Sequence, residues 1–297
     1  MSGVLVLGAL HHDVVVDADR LPRLDETLIG SGVDYRFGGK GGNQAIMAAR
    51  MGAEVTMAGR IGQDPAGQVM LAALDGANVD RSHVLAVDGA SGMSVAITDA
   101  QGNYGAVVVS AANLENDGMV AYVDPPEVVV LQNEVPEAAN LRLADNLPDD
   151  TMIILNAAPA RPVPASLLRR IDVLVVNRVE AEDMTGTSDP ATAARMLKDQ
   201  GPDAVVVTLG VDGLVLKTSA GQRVMDAFAV TPVSSHGAGD AFVGALAART
   251  CEGQDVADAL PFAQAAAALF VAAPIAKRSA LTRGAVLRFV EDQTDKL

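Results

Sequence analysis

The chain has no tryptophan, and aromatic residues make up only 3% of its 297 positions. Bases of a single-stranded nucleic acid need aromatic platforms to stack on, so that ligand class is disfavoured. Basic residues are also short: 22 Lys and Arg stand against 37 Asp and Glu, a formal net charge of −15. Nucleic acids and anionic membrane surfaces recruit clustered Lys and Arg, so neither is an expected partner. Any anionic ligand must instead be met by a local group of positive charges. The single cysteine, Cys251, excludes an internal disulfide and fits a reducing, cytoplasmic compartment. With only four histidines beside it, no zinc site is expected. The apolar run Val4–Leu10 is too short to span a membrane and lacks the basic leader of a secretory signal, so it reads as a buried first strand. Internal repeats, low-complexity tracts and linker-like stretches are absent from the sequence.

What is present is globular in composition, 49% hydrophobic and 20% charged, and long enough for one large α/β domain. Apolar β-branched runs at Val4–Leu7, Val55–Ala58, Val128–Leu131, Met152–Leu155, Val173–Val176 and Ala204–Thr208 read as strands. Between them, Asn43–Met51, Gln68–Leu74, Ala191–Asp199 and Phe262–Ala273 read as helices. This alternation predicts a doubly wound, mostly parallel sheet flanked by helices, with ligands at the carboxyl ends of its strands. Residues 14–37 and 92–110 break the pattern. Their polar alternation, with a turn signal at Gln101-Gly102-Asn103, reads as antiparallel strands. They predict a small β lid within a single domain spanning 1–297, or else peripheral strands of the main sheet. The exposed strand edges of a lid favour pairing with a second copy, hence a homodimer through it.

Two glycine clusters carry the chemistry. Ser235-His236-Gly237-Ala238-Gly239-Asp240 leads straight into the helix-forming run Ala241–Ala248. Small residues let the backbone approach a ligand, and a helix start offers N–H groups to an anion. Asp240 at that junction is either a helix cap or a general base. The second cluster, Gly38-Gly39-Lys40-Gly41-Gly42-Asn43-Gln44-Ala45, also precedes a helix. It lacks the Gly-Lys-Ser/Thr spacing of a Walker phosphate loop and reads either as a flexible turn or as a polar-ligand cradle. His83 reads as part of a surface strand, Cys251 as a structural helix end, and Ala265–Ala268 as tight helix packing.

Together these clusters resemble the two signatures of the ribokinase-like, or phosphofructokinase-B, carbohydrate kinase family. Four further stretches fit in the same order: Gly8–Asp13, Asn156–Ala160, Asn177–Glu182 and Thr208–Gly213. The resemblance covers nearly the whole chain and implies an ATP-dependent sugar kinase, with ribose as the best single substrate. Other sugars, sugar derivatives or nucleosides are alternatives within the class, and a non-catalytic sugar sensor is an alternative outside it. The resemblance makes Asp240 the base and the N–H groups of Gly237, Ala238 and Gly239 an anion hole for the γ-phosphoryl group. It assigns His11, Asp13, Gly39, Lys40, Gly41, Gly42, Asn43 and Glu134 to the sugar. Asn177, Thr208, Leu209, Gly210, Val211, Asp212, Gly213 and Gln264 go to the nucleotide, and Glu180 to Mg²⁺ through water. By itself the spacing of Asn177 and Glu180 favours a helix capping box.

Three departures from the family pattern stand out. His11 replaces an Asn, which puts the choice of sugar in question. Ser234 replaces an Asp that would ligate a monovalent cation, usually K⁺, at a degenerate site drawn from Ser234, His236 and Ser279. The later loop, Ala272–Ser279, carries Lys277 and Arg278 beside that site. Either both face solvent, or one of them supplies the positive charge itself and makes K⁺ dispensable.

Overall fold

The computed structural model describes residues 3–99 and 104–294. The chain runs β1 (Val4–Leu7), β2 (His11–Asp17), β3 (Gly32–Gly38), α1 (Lys40–Arg50), β4 (Val55–Gly62), α2 (Pro65–Gly76), β5 (Asp80–Val87), β6 (Met93–Thr98) and β7 (Tyr104–Val109). It continues β8 (Val128–Gln132), α3 (Glu137–Asn146), β9 (Met152–Asn156), α4 (Ala165–Leu168), β10 (Val173–Asn177), α5 (Arg178–Thr185), α6 (Pro190–Lys198) and β11 (Ala204–Thr208). A hairpin of β12 (Leu214–Thr218) and β13 (Gly221–Met225) precedes α7 (Ala238–Cys251), α8 (Val256–Ala272) and α9 (Arg283–Thr294).

Nine strands form the main sheet in the order β13-β12-β11-β10-β9-β8-β1-β4-β5. All its pairings are parallel except β11 with β12 and β12 with β13. Alternate residues feed two cores: Val4 and Val6 pack toward α1, α2, α7 and α8, whereas Leu5 and Leu7 pack toward α3, α4 and α6. Burial on both faces explains why the strands read as continuous apolar runs. From β1 the chain winds outward to β4 and β5, then returns to β8 on the other side of β1. The switch point therefore lies between β1 and β8, where open α/β sheets leave a crevice for ligand.

The second sheet has four strands in the order β3-β2-β6-β7. The sequence predicts antiparallel strands here, and both hairpins, β2–β3 and β6–β7, are antiparallel. The central pair β2–β6 is parallel, because the two hairpins join side by side through their first strands. The sheet also starts earlier than residue 14, at His11, so two candidate sugar residues, His11 and Asp13, lie on its strands. The predicted turn at 101–103 lies outside the described residues. Asn113 anchors the base of this sheet: its Oδ1 accepts from Leu10 N–H and its Nδ2 donates to Leu10 O, both at 2.9 Å.

His83 lies on edge strand β5, and Cys251 is the last residue of α7. Burial first, then its hydrogen bond to Glu127, pushes the Cys251 thiol up to about 12, so it stays protonated and unreactive. Ala265 and Ala266 are fully buried in the core that joins α7 and α8. Among the described residues no helix is long and apolar enough to cross a membrane.

Candidate active site

Helices α1 and α7 start at the two glycine clusters and pack against each other. Gly39 takes φ +84° just before α1, and a Cβ there would lie 2.5 Å from Ala9 O. Gly237 takes φ +80° just before α7. Both turns use a left-handed backbone that suits glycine. Gly244, inside α7, faces α1 so closely that a Cβ would sit 2.5 Å from Gln44 O. This contact brings the polar side chains of α1 to the start of α7.

Asp240 stands in the first turn of α7, only 8% exposed. Its Oδ2 accepts from Asn43 Nδ2 at 3.1 Å and its Oδ1 from Gln44 Nε2 at 2.9 Å. Gln44 Oε1 in turn accepts from Gln132 Nε2 at 2.8 Å, at the end of β8. Burial raises the Asp240 carboxyl above its ordinary value, while the Lys40 charge and the two amide hydrogen bonds pull it back down. The two glycine clusters thus meet on one carboxylate.

Glu134 reaches the same place from the end of β8. Its Oε2 accepts from the Lys40 backbone N–H at 2.7 Å, at the first turn of α1, and burial raises its pKa. The Lys40 charge opposes that rise in Glu134, in Glu180 and in Asp240, and Lys40 itself is half-buried. Asp13 Oδ1 accepts from Ser94 Oγ at 2.6 Å across the β2–β6 pair. His11 is 4% exposed with Nε2 unpartnered. His12 turns the other way and stacks on Tyr35.

A cavity of about 520 Å³ opens beside Asp240 and is lined by Asp13, Asn43, Gly237, His236, Arg36 and Arg278, among others. In an acidic chain, this is the local positive charge that an anionic ligand requires. The nucleotide candidates lie outside this cavity, at the carboxyl ends of neighbouring strands, with Asn177 in register with Thr208. Asn177 and Glu180 form a reciprocal capping box at the start of α5. Burial raises the Glu180 carboxyl, and the Asp240 charge adds to the rise. After β11, Gly210–Asp212 form a 3-10 turn, closed by Leu209 N–H donating to Gly213 O at 2.8 Å. Val211 is exposed, and Asp212 pairs with Arg178. Gln264, on α8, donates to Asp226 O.

Two features bear on the expected anion hole and degenerate cation site. The Ala238 N–H is not aimed outward for an anion: it donates to Ser235 O at 3.2 Å within the turn. The monovalent-cation residues do not form an open site either. The carbonyls of Ser234 and His236 accept hydrogen bonds from Arg278, while Ser279 is exposed. Of the two cationic candidates, Lys277 is exposed and Arg278 is buried. The role of Gln44 goes unassigned in the sequence reading. The signal for it was present: Gln44 falls on the Gly41–Ala45–Ala48 face of α1, a polar residue in an otherwise small and apolar stripe.

The chain matches the pfkB family carbohydrate kinase domain over residues 1–283. It is 31% identical to the ribokinase of Haemophilus influenzae, with 96% of this chain and 97% of that protein covered. Identity to the Bacillus subtilis ribokinase is 32%, covering 91% and 93%. Among solved structures, Arabidopsis thaliana ribokinase complexed with ribose and ATP superposes with a TM-score of 0.89 at 28% identity, covering 97% and 98%. Thermotoga maritima ribokinase gives the same TM-score at 26% identity, covering 97% and 99%. The paired glycine clusters, their shared buried carboxylate and these end-to-end matches agree: the chain belongs to the pfkB family of carbohydrate kinases, phosphotransferases that act on sugars.

Proposed function

We propose that this kinase transfers the γ-phosphoryl group of ATP to a hydroxyl of ribose, giving ribose 5-phosphate. The observation that carries the reading is the convergence of both glycine clusters on Asp240. Relatives named ribokinase, one of them solved with ribose and ATP, supply the substrate. Asp240 takes the proton from the attacking hydroxyl, and its raised pKa makes it a stronger base than an exposed carboxylate. Asn43 and Gln44 hold it in place. Asp13, Asn43, Glu134, His11 and the Gly39–Gly42 turn orient the sugar hydroxyls. The N–H groups of Gly237 and Gly239 at the start of α7 receive the spreading negative charge of the transferring group. That of Ala238 joins them only if the Ser235 turn opens.

Thr208–Gly213, Asn177 and Gln264 line the nucleotide side. Glu180 fits Mg²⁺ chemistry through its hard carboxylate oxygens, and Mg²⁺ brought in on the nucleotide phosphates keeps most of its waters. Held there, Mg²⁺ would supply positive charge to offset that of the phosphates. Among the described residues no cluster of three or more His, Cys, Asp or Glu could hold a metal by itself, which suits an ion that arrives with ATP. The four-stranded sheet is read as a lid of the single domain, since Asp13 and Arg36 on its strands line the cavity. The single, protonated Cys251 suits a cytoplasmic setting.

His11, with a buried and unpartnered Nε2, is the feature that keeps other sugars and nucleosides in view. Product formation across a panel of pentoses, hexoses and nucleosides tests the substrate, with ribose expected to give the highest kcat/KM. Asp240→Asn is expected to lose about 10²–10⁴-fold in kcat, the scale of a general base. Near-normal turnover in that variant refutes the assignment.

A further inference from the structure

Arg278 lies in the turn Ile275–Ala280, and its side chain folds back beneath the loop that leads into α7. It is 8% exposed. Its Nη2 donates to Ser234 O at 2.6 Å and its Nη1 to His236 O at 2.9 Å, while Nε lies 3.5 Å from Ala273 O. The guanidinium covers the Phe270 ring at 4.6 Å, and the same ring packs against Gly237. All three acceptors are neutral backbone carbonyls. Convergent carbonyl oxygens of this kind are what hold a desolvated K⁺. Here a covalently attached cation takes them, and Ser234 Oγ is engaged with the His236 N–H.

We propose that Arg278 is a built-in monovalent cation: it sets the Ser234–Gly237 loop and places a fixed positive charge beside the anion-receiving start of α7, so the enzyme needs no added K⁺. The inference rests on the kinase reading for its kinetic consequence. The fixed charge also bars a second ion. A K⁺ at ~4 Å from the guanidinium, at an effective dielectric of about 20, would bind roughly a thousand-fold more weakly than at an uncharged carbonyl site. Burial lowers the Arg278 pKa, with Arg36 adding to the effect, but a guanidinium stays charged across the working pH range. As a positioning residue, Arg278 acts through the loop and the field and does not touch the reacting hydroxyl.

The test compares wild type, Arg278→Met and Arg278→Lys in KCl, NaCl and tetramethylammonium chloride at one ionic strength. ADP and sugar phosphate are separated directly, because coupling enzymes have cation needs of their own. Wild-type kcat with ribose is expected to agree within about twofold among the salts. Arg278→Met keeps the stem over Phe270 and removes the charge. It is expected to lose roughly 10–100-fold in kcat in NaCl, recover severalfold in KCl, and gain a K⁺-specific rise in Tm. Arg278→Lys should remain indifferent to K⁺. A severalfold K⁺ activation of wild type overturns the proposal, as does an Arg278→Met defect that no cation relieves. If wild type turns over no sugar in any salt, the kinase reading fails by itself. The thermal comparison then decides the Arg278 proposal: a K⁺-specific shift in wild type, or none in Arg278→Met, sinks it. If Arg278→Met does not fold, the salt response of wild type and Arg278→Lys decides.

Discussion

At the scale of single residues, the proposed base Asp240 is only as good as the amides that hold it. Gln132 donates to Gln44 Oε1, which turns the Gln44 NH₂ toward Asp240. A hydrogen bond to a charged acceptor contributes about 1.5–3 kcal/mol, so Gln44→Met should lower kcat by roughly 10- to 100-fold. The pH profile separates this from simple misfolding. As the proposed base, Asp240 works ionised, so kcat/KM is expected to be full above its folded pKa and to fall as pH drops through it. That pKa is already raised, and the Gln44 hydrogen bond is one of the factors opposing the rise. Removing the bond lifts the pKa further, so the acid limb of kcat/KM in Gln44→Met should move to higher pH. An unmoved limb would mean that Gln44 only packs. Asp240 was legible as a candidate base only with the family resemblance, because a carboxylate at a glycine-rich helix start reads equally as a cap. Gln44 was harder to assign, since its partners Asp240 and Gln132 come from distant positions and only folding brings them together. Arg278 was legible as one of two cations in a loop, but which one turned inward depended on the packing of Phe270.

At the scale of elements, the strands that read most clearly are those buried on both faces. β1 keeps the bounds its apolar run suggests, and β8 to β11 extend theirs by at most one residue. Edge elements were less legible. β5 opens with four polar residues, Asp80–His83, and the β12–β13 hairpin carries Lys217, Gln222 and Arg223, so neither shows an apolar signal along its whole length. The sequence reads as a helix from Phe262, yet α8 starts at Val256 and carries Pro261 inside it. Asp255 caps it by accepting from Ala257 N–H, and burial of Ala259 and Leu260 offsets the backbone bond that proline removes. The contact that matters most for the site is α1 against α7. A Cβ on Gly244 would meet Gln44 O at 2.5 Å and Ala48 N at 3.0 Å, backbone atoms that cannot swing away. Gly244→Ala should therefore push the two helices apart, costing about 1–3 kcal/mol of stability and loosening Asn43 and Gln44 from Asp240. Chemical denaturation should show the loss and kinetics a fall in kcat. An unchanged midpoint with full activity would show that the helices need not approach so closely.

At the scale of the whole molecule, one surface is out of keeping with an acidic, well-solvated protein. On the small sheet, Tyr35, Val14, Val95 and Val107 lie in one cross-strand row, with Val33, Val16 and Ile97 in the next. Tyr35, Val33 and Val107 are each more than half exposed. Monomers rarely expose an apolar patch of such extent, and the row crosses all four strands. The opposite face carries Asp13 and Arg36, which line the cavity, as does Phe37 at the inner end of the Tyr35 face, so only the outer part of the apolar face, with Tyr35, Val33 and Val107, is open to solvent. We propose a second copy of the same sheet as the occupant: the patch is uncharged, and two identical chains share the symmetry that an isologous contact needs. Each chain carries a net charge of −15, so long-range repulsion opposes the pairing. The Debye length falls to about 10 Å at 0.1 M salt, which removes most of that opposition. The protein should therefore sediment as a dimer at micromolar concentration, more tightly as salt rises. The double variant Tyr35→Glu with Val107→Glu should sediment as a monomer at every salt concentration. Because the same strands carry Asp13 and Arg36, loss of the partner should also free the lid and raise KM for the sugar, leaving kcat at saturation closer to wild type. A wild type that sediments as a monomer throughout would leave the lid to act alone and remove the reason for its apolar face.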